Sequence, residues 1–90
     1  MDPIKARELI KDGALLVDVR TPSEYEEHIS GAINIPHLQI NDRLSEFGSD
    51  KERQIVVYCR SGHRSEIAKS MLEKAGYKNV CNGGGYEDLV

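Results

Sequence analysis

The amino-acid sequence predicts an α/β domain with a mostly parallel sheet and helices on both faces of that sheet. Short apolar runs of strand length alternate with segments whose apolar residues recur at helical spacing. Such alternation favours parallel strands joined by right-handed helical crossovers. The chain has 90 residues, of which 39% are apolar and 30% are charged, so we expect one domain that spans 1–90.

The first half of the chain begins with a predicted helix. Asp2 and Pro3 are typical of an N-cap and a first helical position, and Gly13 is typical of a helix end. Ile4 is also compatible with the tail of a short first strand, in which case the helix begins near Ala6. The remaining pattern predicts a strand over 14–19, a short helix capped by Ser23 and Glu26, an edge strand over 31–36 and a helix over 38–46.

The second half contains a strand over 54–58 that is apolar on both sides of the pleat, so we expect it to be covered on both faces. Apolar residues between Ile67 and Ala75 recur at helical spacing, and Gly76 supplies the C-terminal stop of that helix. The last elements are a short strand over 79–81, a flexible glycine-rich turn over 82–85 and a stub over 86–90.

Cys59 directly follows the buried strand, at the kind of position where parallel sheets bind their ligands. If the next segment curls around the sulfur, its amides and the N-terminus of the following helix favour the thiolate. The segment supplies amides, hydroxyls, positive charge and a flexible glycine: Arg60, Ser61, Gly62, His63, Arg64 and Ser65. The alternative is a small buried cysteine followed by charged residues that are merely solvated.

The composition excludes several classes of protein. A net charge of −3 argues against a general binder of nucleic acid or of anionic membranes. The N-terminus lacks the pattern of a signal peptide and no 18-residue apolar stretch occurs, so we expect a cytoplasmic protein. Two cysteines without metal-ligand spacing predict neither a disulfide scaffold nor a metal site. Cys81 is expected to be a small core residue, and the alternative is a resolving thiol for Cys59.

Three blocks of this sequence resemble the rhodanese (thiosulfate sulfurtransferase) superfamily in order and spacing. "CRSGHRS" over 59–65 is similar to the active-site loop of that family, "LLVDVRTPSEYEEHISGAINIP" over 15–36 to its first block, and "GYKNVCNGGGYEDL" over 76–89 to its closing strand and glycines. The resemblance implies a single-domain member with a three-layer α/β/α fold and a five-stranded, mostly parallel sheet. It also implies that Cys59 carries sulfane sulfur, with a covalent persulfide as intermediate and no other cofactor.

The expected reaction moves sulfur from thiosulfate, or a similar anionic donor, through Cys59 to an acceptor. Cyanide, a thiol, a thioredoxin-like protein or a sulfur-carrier protein are the acceptors that the resemblance allows. Arg60 and Arg64 are predicted to attract and orient the oxyanion end of the donor. His63 is expected to shape the substrate site, although a titrating role near neutral pH is open.

Two other functions stay open at this point. Cysteine-dependent phosphatases and arsenate reductases wrap their oxyanion with C-x(5)-R, whereas Cys59 to Arg64 is C-x(4)-R, one residue shorter. The tighter loop favours a single sulfur atom over a tetrahedral phosphate. A catalytically silent binding or regulatory module is the second alternative, but silent copies often lack the loop cysteine or the cations, and this chain retains both.

The resemblance also assigns residues outside the loop. Asp18 and Arg20 match an Asp-x-Arg element that is mostly architectural, and Arg20 is the one expected to touch substrate. His28 is expected to be a satisfied hydrogen-bonding residue at the core edge, in a segment one residue shorter than the family pattern. Gly84 and Gly85 are predicted to line the pocket mouth, where the backbone approaches closely. We expect a monomer or a weak homodimer.

Overall fold

The computed structural model describes all residues of the chain, 1–90. The α-helices are α1 (Pro3–Lys11), α2 (Pro22–Tyr25), α3 (His63–Lys74) and α4 (Tyr86–Leu89). The strands are β1 (Leu15–Asp18), β2 (Ile33–Asn34), β3 (Gln54–Cys59) and β4 (Asn79–Gly85). Two 3₁₀ segments, His37–Gln39 and Asn41–Phe47, connect β2 to β3. None of the helices has the length and apolar character required to span a membrane.

The four strands form one parallel sheet in the order β2-β1-β3-β4. β1 and β3 are the central strands, and every residue of β3 after Gln54 is buried. Asp18 at the end of β1 pairs in register with Tyr58 near the end of β3. The residues that follow these two strands therefore meet at one edge of the sheet, where parallel α/β sheets place their sites.

Helices cover both faces of the sheet, which confirms the predicted three-layer α/β/α arrangement. On one face, Val57 and Cys59 share an apolar cluster with Leu72 of α3. On the other face, Val56 shares a second cluster with Ala6 of α1. Because side chains alternate along a strand, consecutive residues of β3 belong to different clusters. The buried strand is therefore apolar on both sides of its pleat, as predicted.

The sheet has four strands, one fewer than the resemblance to the family implies. The reason lies at the N-terminus, where a fifth strand would pair with β4. The Asp2 amide does donate to the Asn82 carbonyl at 2.9 Å. The Asp2 carboxylate, however, caps α1 by accepting from the Lys5 amide at 3.0 Å. Pro3 has no N–H to extend a ladder and begins the helix instead.

Two helices differ from the prediction. The capping box of α2 is formed by Thr21 and Glu24 rather than by Ser23 and Glu26. Pro22 explains the difference, since its fixed φ suits the first helical position directly after Thr21. The segment predicted as one helix over 38–46 consists of 3₁₀ turns, and Arg43 interrupts the second of them at φ −126°.

The glycine-rich segment is part of β4 rather than a flexible turn. Val57 of β3 pairs with Asn82, whereas Cys59 pairs with Gly85, so β4 contains one extra residue between these pairs. Gly84 has φ +91°, a left-handed conformation that only glycine adopts readily. The resulting bulge carries β4 onward to the loop that follows Cys59.

Candidate active site

Cys59 is the last residue of β3, and its sulfur lies inside the loop that leads into α3. The residue is 1% exposed. The amide of Gly62 donates to Sγ at 3.0 Å, and the amide of Ser65 donates at 3.4 Å. Ser65 Oγ lies 3.4 Å from the same sulfur. The loop therefore curls around the sulfur and directs N–H groups at it.

The surroundings of the Cys59 sulfur favour its thiolate form. Burial raises the pKa of the thiol, but hydrogen bonds from the loop, with the amides of Ser65, Ser61 and Gly62 among the donors, outweigh burial and bring the pKa below its ordinary value. The thiolate is the nucleophilic form of cysteine. This cysteine is therefore prepared for attack on an electrophilic atom.

Two glycines allow the loop and β4 to approach each other. Gly62 has φ +95°, and a side chain there would also meet the Gly84 backbone. At Gly85, a Cβ would lie 2.2 Å from the carbonyl oxygen of Arg60. Because no other residue fits this contact without a shift of the backbone, Gly85 supports the loop directly. The close approach predicted at Gly84 and Gly85 is therefore an approach to the Cys59 loop, at Gly62 and at the Arg60 carbonyl.

Asp18 and Arg20 form a buried ion pair at the end of β1. Arg20 Nη2 lies 2.8 Å from Asp18 Oδ2, and Arg20 Nε lies 3.0 Å from Oδ1. Tyr58 donates its hydroxyl to the same carboxylate at 2.9 Å. Burial raises the pKa of Tyr58, so the phenol stays protonated as a donor. The pair has the geometry of an architectural element, as the resemblance implies.

Arg64 is held by a partner that the sequence pattern does not indicate. Its Nη1 and Nη2 donate to the two carboxylate oxygens of Glu24 at 2.8 and 3.0 Å. The Arg64 guanidinium lowers the pKa of Glu24 to about 2, so this carboxylate stays charged at neutral pH. The expectation that Arg64 is free to orient a donor therefore does not hold in this arrangement.

An open cleft of about 490 Å³ reaches the loop at Arg60 but does not include the buried Cys59 sulfur. Its walls are Arg20, Ser23, Glu24, Glu26, Glu27, Arg60, Tyr86 and Glu87. Arg20 is paired with Asp18, whereas Arg60 is exposed and pairs with no carboxylate. Arg60 is therefore the cation of this cleft that is available to an anion.

Ser61 and His63 lie on the exposed side of the loop. His63 begins α3, so its side chain extends from the first helical position rather than from a free loop. The substrate-shaping role of His63 stays a prediction. No three His, Cys, Asp or Glu side chains come together as a group that could hold a metal ion.

Comparison with known proteins identifies the architecture. A model of the rhodanese-like domain matches residues 2–89. The chain belongs to this family. Thiosulfate sulfurtransferase PspE of Escherichia coli is 42% identical over 75 residues, which cover 82% of this chain and 72% of PspE. A sulfurtransferase of Allochromatium vinosum is 43% identical over 72 residues, which cover 79% of this chain and 65% of that protein.

Solved structures give the same result for the fold. A structure described as rhodanese with anions from E. coli has a TM-score of 0.81 and 38% identity to this chain. The match covers 87% of this chain and 93% of that one. The predicted membership of the rhodanese family is therefore confirmed, and with it the α/β fold class.

Two residues of this rhodanese-like domain lie apart from the Cys59 sulfur. His28 is exposed and stacks on Tyr25 with ring centroids 3.9 Å apart, while its Nδ1 lies 2.6 Å from the Tyr25 carbonyl oxygen. It is hydrogen-bonded as expected, but on the surface rather than at the core edge. Cys81 is buried, pairs in register with Val56 and belongs to the apolar cluster on the opposite face from Cys59.

The position of Cys81 excludes a resolving role in this fold. Val56 and Cys59 are three residues apart along β3, roughly 10 Å at the rise of a strand. A disulfide needs Cα atoms within about 7 Å. Burial raises the pKa of Cys81, which also disfavours its thiolate. Cys81 is the small core residue that the sequence predicts.

The sequence gives no direct signal for Asn82. Its position in a glycine-rich segment is typical of a turn, yet the side chain is buried with 3% exposure beneath the Cys59 loop. The signal that could have found it is a polar residue directly after a buried strand residue and before glycines that permit close approach. The sequence likewise gives no signal for Glu24, whose carboxylate caps α2 and also binds Arg64.

Proposed function

We propose that this rhodanese-like protein is a sulfurtransferase that takes sulfane sulfur from thiosulfate, or a similar anionic donor, and carries it as a persulfide on Cys59. The observation that carries this proposal is the loop that directs the amides of Gly62 and Ser65 at the Cys59 sulfur. The relatives named as sulfurtransferases support the same class of reaction.

The first half-reaction uses the thiolate of Cys59 as nucleophile. The thiolate attacks the outer sulfur of thiosulfate, a new S–S bond forms on Cys59, and sulfite leaves with the electron pair of the broken S–S bond. The persulfide then carries its negative charge on the outer sulfur. Backbone N–H groups around the loop stabilise that charge because they already point inward.

The second half-reaction returns the enzyme to its starting state. A nucleophilic acceptor attacks the outer sulfur of the persulfide, and the Cys59 thiolate leaves with the electron pair of the S–S bond. With cyanide as acceptor, the product is thiocyanate. With a thiol, the product is a new persulfide on the acceptor. A thiol of a thioredoxin-like or sulfur-carrier protein can accept the sulfur in the same way. No net oxidation or reduction by an outside reagent is required.

Arg60 is the residue that we assign to the charge of the donor. It is exposed at the cleft and has no carboxylate partner, whereas Arg64 is engaged by Glu24. A guanidinium attracts an oxyanion and presents several N–H donors to it. The sulfonate end of thiosulfate is therefore expected at Arg60, with the outer sulfur directed into the loop.

A cysteine-dependent phosphatase or arsenate reductase is less well supported. The loop has four residues between Cys59 and Arg64 instead of five. Both terminal nitrogens of Arg64 bind Glu24, so the guanidinium is not free to grip a tetrahedral oxyanion. A silent binding module is the remaining alternative, and the hydrogen bonds that favour the Cys59 thiolate argue for a reactive site.

Mass spectrometry of the intact protein tests the proposal. After treatment with thiosulfate, the protein is expected to gain the mass of one sulfur atom, and cyanide is expected to remove it. Cys59→Ser should not gain the sulfur, while Cys81→Ser should gain it as the parent does. A folded parent protein that never gains sulfur from thiosulfate would exclude this donor. Turnover of an aryl phosphate that depends on Cys59 would favour the phosphatase.

The cytoplasmic location is a further prediction, which cell fractionation tests.

A further inference from the structure

The carboxamide of Asn82 connects four groups beneath the Cys59 loop. Its Oδ1 accepts from Ser65 Oγ at 2.7 Å and from the Gly84 amide at 2.9 Å. Its Nδ2 donates to the Gly62 carbonyl and to Glu66 Oε1, both at 3.0 Å. A side-chain amide has two donor protons and two acceptor lone pairs. All of the hydrogen-bonding capacity of Asn82 is therefore used.

These partners determine which end of the carboxamide faces Ser65. The Gly62 carbonyl and the Glu66 carboxylate are acceptors, so the nitrogen of Asn82 must face them. The Gly84 amide can only donate, so the oxygen must lie on its side. If the carboxamide were flipped, its oxygen would face the two acceptors, and its own N–H groups would face the Gly84 N–H. Asn82 Oδ1 is therefore the group that meets Ser65.

The orientation of Asn82 determines where the Ser65 hydroxyl proton points. A serine hydroxyl has one proton, and Asn82 Oδ1 at 2.7 Å can only accept it. Ser65 Oγ therefore presents lone pairs, not a proton, to the Cys59 sulfur 3.4 Å away. The groups left to donate to that sulfur are backbone amides of the loop, among them those of Gly62 and Ser65.

We propose that Asn82 is a positioning residue for sulfur transfer: it holds the Ser65 proton away from the Cys59 sulfur and fixes Gly62, so that backbone amides alone stabilise the thiolate. This inference rests on the proposed function of Cys59. Its advantage is chemical, because each additional donor lowers the pKa of the thiol and also the nucleophilicity of its thiolate, by about threefold per unit of pKa. The loop amides keep the sulfur ionised, and Asn82 preserves its nucleophilicity by withholding the additional donor.

A double-mutant cycle on the Cys59 pKa tests this proposal. The rate of alkylation by iodoacetamide is measured against pH for the parent, Ser65→Ala, Asn82→Ala and the double variant. Alkylation is followed at Cys59 by peptide mass spectrometry, since Cys81 can react as well. The measurement needs no sulfur donor, so its outcome is independent of whether thiosulfate is the substrate.

The expected result is a conditional effect of Ser65. With Asn82 present, Ser65→Ala leaves the Cys59 pKa nearly unchanged, because the hydroxyl does not donate to the sulfur. With Asn82→Ala, the freed hydroxyl donates to the thiolate, and Ser65→Ala then raises the pKa by roughly one unit. An equal rise in both backgrounds, or no rise in either, would overturn the proposal.

The controls separate positioning from stability. Asn79→Ala removes another β4 asparagine, whose side chain binds the Glu52 carbonyl far from the loop, and should leave the Cys59 pKa unchanged. If Asn82→Ala does not fold, Asn82→Leu fills the space without an acceptor and replaces it in the cycle. Arg64, Glu66 and Asp88 carry charge around this cluster, and all variants retain them.

Discussion

Glu24 binds Arg64 with two parallel hydrogen bonds, which join α2 to the first turn of α3 across the entrance of the Cys59 loop. The sequence places these residues 40 positions apart. The pair neutralises the arginine that the loop motif assigns to the donor. Arg60 is then the remaining free cation at the cleft.

Glu24→Gln should free Arg64 for an anionic donor. Glutamine still accepts a hydrogen bond from Thr21, but it no longer neutralises the guanidinium. We expect the KM for thiosulfate to fall roughly three- to tenfold at low ionic strength, with kcat changed less than about twofold. Steady-state kinetics in low and high salt measure the effect, which salt should reduce.

The control for this prediction is Glu46→Gln. Glu46 holds Arg43 by the same kind of two-bond pairing, at 2.5 and 2.8 Å, but does not line the cleft. Its replacement should leave the KM unchanged. A KM that falls equally in both variants would show that only the net charge of the protein matters, and an unchanged KM in Glu24→Gln would contradict the prediction.

The same pair predicts a pH dependence of stability. Hydrogen bonds from Arg64 lower the pKa of Glu24 in the folded protein to about 2, while an unperturbed glutamate titrates near about 4.3. Because the folded pKa is the lower one, the stabilisation is fully present above the unfolded value and is lost as pH falls towards the folded value. Urea unfolding measures the free energy of unfolding of the parent and of Glu24→Gln. The difference between the two free energies should be constant above about pH 5 and should shrink between about pH 4 and 2. A difference that changes between about pH 6 and 8 would contradict this assignment.

Gly85→Ala should damage the loop by direct contact. A Cβ at Gly85 would lie 2.2 Å from the Arg60 carbonyl oxygen, although φ is −97° and suits alanine. We expect a loss of about 1–3 kcal/mol in the free energy of unfolding and a clear loss of sulfur transfer. Gly13→Ala is the matched control, since φ is +94° there and no atom lies near the added Cβ. It should cost about 1–2 kcal/mol through backbone strain and leave activity unchanged. Equal activity in the two variants would contradict the role of Gly85.

The Cys59 loop could be predicted from the sequence because its parts are contiguous. A buried strand, a cysteine, a glycine and a helical pattern follow one another within 54–75, so local rules are enough to place the amides around the sulfur. The sheet topology follows for a similar reason, since alternating strands and helices restrict the possible connections.

The partners of the loop could not be predicted in the same way. Ser65 meets Asn82 across 17 positions, and the contact depends on the register that pairs Asn82 with Val57. A change of one residue in register would turn Asn82 to the other face of the sheet. The family resemblance implies a fifth strand, but Asp2 and Pro3 start a helix where that strand would lie.

Asp18→Ala should be the most destabilising change at the edge of the site. It leaves the guanidinium of Arg20, which is 7% exposed, without its carboxylate and removes the acceptor of the Tyr58 hydroxyl. Removal of one partner of a buried ion pair typically costs about 3–5 kcal/mol in the free energy of unfolding. Tyr58→Phe removes a single hydrogen bond of the same cluster and should cost only about 1 kcal/mol. Urea unfolding monitored by circular dichroism measures both. If Asp18→Ala lowered the free energy of unfolding no more than Tyr58→Phe, the ion pair would contribute little to stability. The hydrogen bonds of the Asp-x-Arg element would then have to be explained by a role in the reaction.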